Sequence, residues 1–242
     1  VVSSDDRSDL QGFARDLVGP EVEELGWTVG ADDDEQTRAL RGQLLKAMGV
    51  LGNDRDTIAN AREVHLTPDE SLDAEIADAA LTITAANGDM DDFRRFLDLS
   101  DSAPTPQLTV KYLRAAVSVP DPAVPARVVD MVADREIRNQ DSFWVLAVLL
   151  GARDTGPIAW NAVKARWDDL LAVLPPSNAY RMLDLLYLRS EPEVAADIAS
   201  FLEANPIPGA EMKIAQRMEQ LRVRVGLRER EGTAIGEALR SA

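Results

Sequence analysis

The stretch IRNQDSFWVLAVLLGARDTGPIAWNAVKARWDDLL, residues 137–171, decides the fold of this 242-residue chain. Its polar opening leads into a run of apolar residues, and the turn signal Thr155-Gly156-Pro157 follows that run. The second half carries Trp160 and Trp167, seven residues apart. Because seven residues make about two turns of an α-helix, both rings fall on one helical face. The stretch therefore predicts two helices joined by a turn, with the two tryptophans in the core.

Similar turn signals divide the rest of the chain at near-regular intervals. Counted from Gly52, Gly88, Pro120, Thr155 and Ser190, the steps are 36, 32, 35 and 35 residues. Apolar residues at helical spacing lie between the turns, without the alternation typical of strands. Repeats of this length are typical of stacked helix pairs, each of which needs a neighbour to bury its apolar face. We therefore predict an all-α fold, a HEAT-like α-solenoid of stacked antiparallel helix pairs.

Capping residues place the predicted helices along the chain. Thr67 can cap a helix in which Pro68 occupies the first position and Glu70 closes a capping box. Ser190 and Glu193 have the same capping-box spacing. We predict helices at residues 6–18, 35–51, 54–65, 68–86, 89–98, 106–118, 122–133, 141–152, 157–172, 177–189, 191–204 and 208–228.

The charge composition limits the partners of this chain. Its 42 acidic and 26 basic residues give a formal net charge of -16. Phosphate binding needs clustered Lys and Arg, so we predict no nucleic-acid partner and no anionic membrane partner. No apolar run reaches the roughly 18 residues that a membrane span requires. Since the chain has no Cys, it has no disulfides or thiol chemistry. We predict a cytoplasmic location.

The sequence offers little for catalysis. His65 is the one histidine of the chain, whereas a catalytic zinc normally takes three protein ligands. Neither a His-Glu-x-x-His helix nor a glycine-rich phosphate loop occurs. Acidic neighbours such as Asp168-Asp169 point in different directions on a helix and cannot face one substrate. We therefore predict no catalytic, cofactor-binding or metal-binding residue in this chain.

Residues 137–171 resemble the C-terminal helical domain of the aminopeptidase N family, the gluzincin zinc metallopeptidases. In that family an Arg-x-Gln-Asp start precedes an apolar helix, a turn often containing Gly, and a helix of pattern Ala-Trp-x-x-x-x-x-x-Trp-x-x-Leu. A weaker resemblance covers residues 17–27, 37–45 and 215–227. One departure is Arg166, because many relatives have Asn there; another is the missing Gly-Tyr-Tyr-Arg-type motif at the start. The matching positions are Arg138, Gln140, Asp141, Gly156, Ala159, Trp160, Trp167 and Leu170.

The resemblance implies a function for the chain as a whole. Residues 1–242 are expected to form a single helical-repeat domain, an N-terminally trimmed C-terminal domain of a larger aminopeptidase, here called the parent. The start Val1-Val2-Ser3-Ser4, without Met, fits that expectation. In the family this non-catalytic domain encloses the active-site chamber and limits peptide access. Zinc is then expected in the parent's catalytic domain, which would be the direct partner of this chain, and peptide substrates would meet it only indirectly.

The polar residues at the start of the stretch are the candidate site. We expect Arg138, Gln140 and Asp141 to form a structural or interdomain polar network, because Arg pairs well with carboxylates and Asp accepts N–H bonds at helix starts. Trp27 is a candidate packing anchor for the first helices. The alternative function is an independent helical-repeat scaffold that binds a protein or peptide on its concave face.

Overall fold

A computed structural model describes residues 2–67, 69 and 71–241 of the chain, and within this part all regular secondary structure is helical. The predicted all-α class is confirmed. The described residues divide into two compact units, one formed by Asp89–Glu231 and the other by residues 2–88 with 232–241. The HEAT-like solenoid and the single-domain organisation stay predictions. Among the described helices, none is both long and apolar enough to cross a lipid bilayer.

In the unit that contains residues 2–88, aspartates start most of the helices. Asp34 and Asp54 each accept a hydrogen bond from the amide three residues on, at 2.8 Å, which satisfies an amide that has no partner inside the helix. The apolar core of this unit consists of Leu45, Ala61, Ala79, Ala80 and Ile83, with Trp27 half-buried against it. The helices are α1 (Arg7–Leu25), α2 (Glu35–Lys46), a π-helical turn (Ala47–Leu51), α3 (Arg55–Leu66) and α4 (Ala74–Ala86).

The predicted helix start at Thr67 is wrong. Thr67 ends α3, and α4 begins after Asp73, whose carboxylate accepts from the amide of Glu75 at 2.9 Å. The reason lies in Asp69, whose side chain accepts from the amide and hydroxyl of Ser71. Such a local turn competes with helix formation. The other two predicted capping residues, Pro68 and Glu70, lie outside the described residues.

The unit Asp89–Glu231 starts with a capping box. The Asp89 side chain accepts from the amide of Asp92 at 3.1 Å, and the Asp92 side chain accepts from the amide of Asp89 at 3.2 Å. The α-helices of this unit are α5 (Met90–Asp101), α6 (Pro106–Val117), α7 (Val124–Ala133), α8 (Asn139–Gly151), α9 (Gly156–Ala165), α10 (Trp167–Val173), α11 (Pro192–Ala204) and the start of α12 (Glu211–Ser241).

Three predicted features of this unit are wrong in detail. The helix predicted over 157–172 is interrupted at Arg166, which has the non-helical backbone angles φ -116° and ψ 21°. The helix predicted over 177–189 is replaced by two short 3-10 helices, Ala179–Leu183 and Leu186–Leu188. Ser190 does not cap α11; Glu191 occupies that position and accepts a hydrogen bond from the Ser190 amide at 2.9 Å.

Candidate functional site

The carboxylate of Asp141 is the centre of the predicted polar network. Asp141 lies in the first turn of α8 and is only 4% exposed. Its Oδ2 accepts from the Arg138 Nε at 2.9 Å, and its Oδ1 accepts from the indole Nε1 of Trp144 at 3.0 Å. A buried carboxylate is costly unless it is paired and hydrogen-bonded, and here both oxygens are occupied. The pairing holds the helix start in place.

The network extends to a second helix through an aromatic ring. The guanidinium of Arg114, on α6, lies over the ring of Trp144 at 5.0 Å from its centre. A cation over an indole face is attracted by the negative π-electron density. The hydrogen bond from Trp144 to Asp141 orients the indole, and the Arg114 guanidinium packs on the face of that indole. The result is a link between the last turn of α6 and the first turns of α8.

A surface pocket of about 290 Å³ opens beside this network. Its charged members have both signs: Asp101 and Glu136 are acidic, whereas Arg138 is basic and half exposed. Asp141 and two hydroxyl side chains also contribute to the wall, together with apolar side chains. The pocket thus offers both donors and acceptors to a polar ligand such as a peptide backbone. Its lining consists of Leu97, Ser100, Asp101, Thr109, Leu113, Met131, Glu136, Ile137, Arg138 and Asp141.

The structure brings two of the three predicted site residues together. Arg138 and Asp141 form an ion pair, while Gln140 points to solvent on the same helical turn. Sequence reasoning missed Trp144 and Arg114. The spacing of three residues from Asp141 to Trp144 is a usable signal, since residues three apart share a helical face. The approach of Arg114 from another helix has no such signal.

Arg166 forms a second polar network, with three carboxylates. In the sequence it stood out only as a departure from the family pattern. Its guanidinium bonds Asp130 at 2.5 Å, Asp134 at 3.1 Å and Asp169 at 2.7 Å. The hydrogen bond to Asp169 and, after it, the hydrogen bond to Asp134 raise the pKa of Arg166 above its ordinary value. Arg166 therefore ties α7 to the junction of α9 and α10, at the residue that interrupts the predicted helix.

The side chains that the structure describes form no group suited to a catalytic zinc. Within residues 2–67, 69 and 71–241, no three His, Asp or Glu residues are grouped so that they could hold a metal ion. His65, in the last turn of α3, is the chain's one histidine. A catalytic zinc site normally needs three protein ligands, often including more than one His.

A comparison with protein families identifies the class of this chain. The family described as ERAP1-like C-terminal domain matches residues 1–223. The chain therefore belongs to the ERAP1-like C-terminal domain family. The match contains the polar network at the start of α8, the pocket beside it and the tryptophans of α9 and α10.

The similar curated proteins carry aminopeptidase names. Aminopeptidase M1-A of Oryza sativa subsp. japonica is 26% identical over 232 residues, which cover 88% of this chain and 25% of the relative. Aminopeptidase M1-C of the same plant is 25% identical over 237 residues, covering 91% and 26%. Alanine/arginine aminopeptidase of Saccharomyces cerevisiae is 20% identical over 244 residues, covering 96% and 28%.

These matches confirm the predicted resemblance to the C-terminal domain of this aminopeptidase family. The chain spans about a quarter of the length of the curated relatives it matches. It is similar to a domain of an aminopeptidase and not to the whole enzyme.

Proposed function

We propose that this chain is the non-catalytic C-terminal domain of a zinc aminopeptidase, where it encloses the active-site chamber and limits the access of peptides. The observation that carries the proposal is the family match over residues 1–223. The aminopeptidase names of the relatives support it, because the chain aligns with only about a quarter of each. In this proposal its helix pairs stack as a HEAT-like solenoid, and the protein acts in the cytoplasm.

The chemistry would lie on another segment of the parent. A zinc aminopeptidase activates water on a metal held by a His-Glu-x-x-His helix and a further carboxylate. This chain has a single His and no Cys, and it lacks that motif. The parent's catalytic domain would therefore hold the zinc and be the direct partner of this chain. Peptide substrates would meet the chain only after entering the chamber.

We assign the polar network an interdomain role within this proposal. Asp141 is satisfied inside the domain, but Arg138 keeps about half of its side chain exposed and Gln140 is exposed beside it. Exposed polar groups on a rigid helix start are suited to hydrogen-bond a neighbouring domain or an extended peptide. The pocket of about 290 Å³ next to them would take one peptide side chain or a short backbone segment.

A comparison of the purified chain with its full-length parent tests the proposal. We expect the chain alone to bind no stoichiometric zinc by atomic absorption and to leave an aminoacyl reporter substrate uncleaved. The full-length parent should bind zinc and cleave the reporter. Robust metal-dependent peptidase activity of the purified chain would refute the proposal.

The same parent distinguishes the alternative function. If the gene upstream of Val1 encodes no His-Glu-x-x-His motif, the hypothesis of an aminopeptidase domain fails. The chain is then an independent scaffold that binds a protein or peptide. That result leaves the helical fold untouched and overturns only the enzymatic context.

A further inference from the structure

A buried arginine follows the second 3-10 helix of the unit Asp89–Glu231. Arg189 is 3% exposed, and its Nη1 and Nη2 donate to the carbonyls of Arg153 and Gly151 at 3.2 and 3.4 Å. These carbonyls lie at and just past the end of α8, where backbone oxygens lack helical partners. The Nε of Arg189 is buried and has no hydrogen-bond partner among the described residues. The nearly fully buried Arg189 guanidinium therefore has one N–H donor, at Nε, without an acceptor among the described residues.

The start of α9 leaves space for this guanidinium. Gly156 lies against it so closely that a Cβ at this position would collide with the Arg189 Nη1. Because Gly156 has no side chain, the Arg189 guanidinium has room at this position. A methyl group there would displace the guanidinium without removing any charge.

Two further arginines approach from α12. Arg224 and Arg228 are four residues apart and so share a helical face. The Nη1 of Arg228 donates to the Ser190 hydroxyl at 3.3 Å, next to Arg189 in the chain. The Nε of Arg224 is also buried and without a hydrogen-bond partner in the described part of the chain. Burial and, after it, the positive charge of Arg224 lower the pKa of Arg189.

The acidic residues nearby do not balance this cluster. Glu191 Oε1 is 3.7 Å from the Arg189 Nη1, and Asp154 is bonded by Arg153 at 2.9 Å. Counting Arg153 with the three clustered arginines, four positive charges face two negative ones, which leaves a surplus of two. This surplus lies in a chain whose formal net charge is -16.

We propose that Arg189, Arg224 and Arg228, together with the Ser190 hydroxyl, bind a small doubly charged oxyanion of the phosphate class. Guanidinium N–H groups form short, charge-assisted bonds to phosphate oxygens. A dianion would neutralise the surplus of two charges and give the two unpartnered Nε–H groups acceptors. A purely structural role of Arg189 as a cap of α8 explains the hydrogen bonds of its Nη1 and Nη2. It does not explain why Arg224 and Arg228 converge on the same place.

Titration of the purified chain with inorganic phosphate tests the site. At constant ionic strength kept with chloride, calorimetry should show saturable binding of one phosphate per chain. Acetate, a single negative charge, should bind at least about tenfold more weakly, since it leaves one surplus charge unpaired. Absence of saturable phosphate binding, or acetate binding as tight as that of phosphate, would overturn the proposal.

Variants separate the site from general charge effects. Arg224→Gln and Arg228→Gln should each weaken phosphate binding by about tenfold or more, because each removes a charge-assisted bond. Arg222→Gln is the matched control, since Arg222 lies on the same helix, is 72% exposed and pairs with Glu219. It should bind phosphate like the unmodified chain. Equal losses in Arg222→Gln and Arg224→Gln would contradict a defined site.

Two measurements guard against loss of folding as the explanation. Without phosphate, Arg224→Gln should melt no lower than Arg222→Gln, because it relieves repulsion with Arg189. Gly156→Ala keeps every arginine and should still weaken phosphate binding, since it displaces the Arg189 guanidinium. Unchanged phosphate affinity in Gly156→Ala would show that Arg189 is not a ligand.

Discussion

Three aromatic rings meet between α9, α10 and α11. Trp160 and Trp167 are 1% and 5% exposed, which confirms their predicted place in the core. Both contact Phe201 edge to face, with ring centres 5.4 and 5.2 Å apart. Edge-to-face pairs place a positive ring edge against a negative ring face and add to the gain from burial. The heptad spacing of the two tryptophans therefore serves one shared partner, Phe201.

Replacement of Trp167 by Ala should destabilise the protein by about 3–5 kcal/mol, because it removes a buried ring and leaves a cavity. Urea denaturation followed by circular dichroism measures this loss. Met212→Ala is the control, since Met212 is 82% exposed and its loss should change little. If Trp167→Ala unfolds at the same urea concentration as the unmodified chain, the core assignment fails.

Asp197 makes the stability of this aromatic core depend on pH. Its Oδ2 accepts from the Lys164 Nζ at 2.5 Å and from the Trp160 Nε1 at 2.6 Å. The Lys164 bond chiefly, and the Trp160 bond after it, lower the pKa of Asp197 below its ordinary value. The stabilisation is therefore fully present above the unfolded pKa of about 3.9 and is lost as the pH falls through the lower folded value.

We expect Asp197→Asn to reduce the free energy of unfolding at pH 7 by less than about 1 kcal/mol, because the side chain is half exposed. The difference from the unmodified chain should stay constant from pH 7 to pH 5 and shrink below pH 4. Urea titrations across that range measure it. A difference that grows on acidification would contradict the assigned direction of the pKa shift.

At the scale of single elements, local capping made most helices predictable. Asp34, Asp54, Asp89 and Thr105 each precede a helix whose first amides they satisfy, and those starts were predicted within a residue or two. The later start of α4 was missed because Asp69 accepts hydrogen bonds from Ser71 in a local turn. In the sequence, the polar residues of such a turn look the same as the capping residues of a helix.

The interruption at Arg166 could not be predicted from periodicity. The apolar spacing from Trp160 to Trp167 continues through it, so the pattern favours one helix. At the interruption, Arg166 bonds Asp130 on α7 and Asp134 just past the end of α7, and both carboxylates are distant from it in sequence. For the same reason the sequence identified Asp141 and Arg138 as a pair but not the approach of Arg114.

Close packing between elements gives the next prediction. Gly49, in the π-helical turn, lies against Ile83 of α4, and a Cβ there would be 2.6 Å from the Ile83 Cγ2. Gly49→Ala should therefore cost about 1–3 kcal/mol through overpacking. Gly12→Ala in α1 is the matched control, since a Cβ there meets only the Arg15 side chain at 3.9 Å. It should stabilise the helix by about 0.5–1 kcal/mol.

Thermal melting of the two alanine variants measures this contrast. Gly49→Ala should lower the melting temperature, whereas Gly12→Ala should raise it. A melting temperature that rises in Gly49→Ala would contradict close packing of the π-helical turn against α4.

On the scale of the whole molecule, residues 2–88 leave apolar surface uncovered. Among the described residues of α1, none is fully buried, and Leu17 is 64% exposed. Contiguous exposed apolar surface is typical of a contact site for another chain or domain. Among the described residues before Gly52, the large exposed apolar ones are Phe13, Leu17, Leu40 and Leu51.

We therefore expect the purified chain to self-associate at high concentration. Sedimentation velocity over a wide concentration range should show a shift toward larger species. Leu17→Lys should reduce that shift, because a charge on the surface opposes apolar contact. A clean monomer at every concentration would count against this prediction.

The peptide-length profile of the full-length parent tests the central claim most directly. The measurement is the ratio of kcat/KM for an extended peptide to kcat/KM for an aminoacyl reporter. Combined Glu136→Arg and Gln140→Arg should change this ratio several-fold, because they alter the charge of the pocket wall and of the exposed helix start beside it, while the zinc site is untouched. The control Glu219→Arg, on exposed α12 surface, should leave the ratio unchanged. Identical ratios in the unmodified parent, the pocket variant and the control would contradict a role of this chain in peptide access.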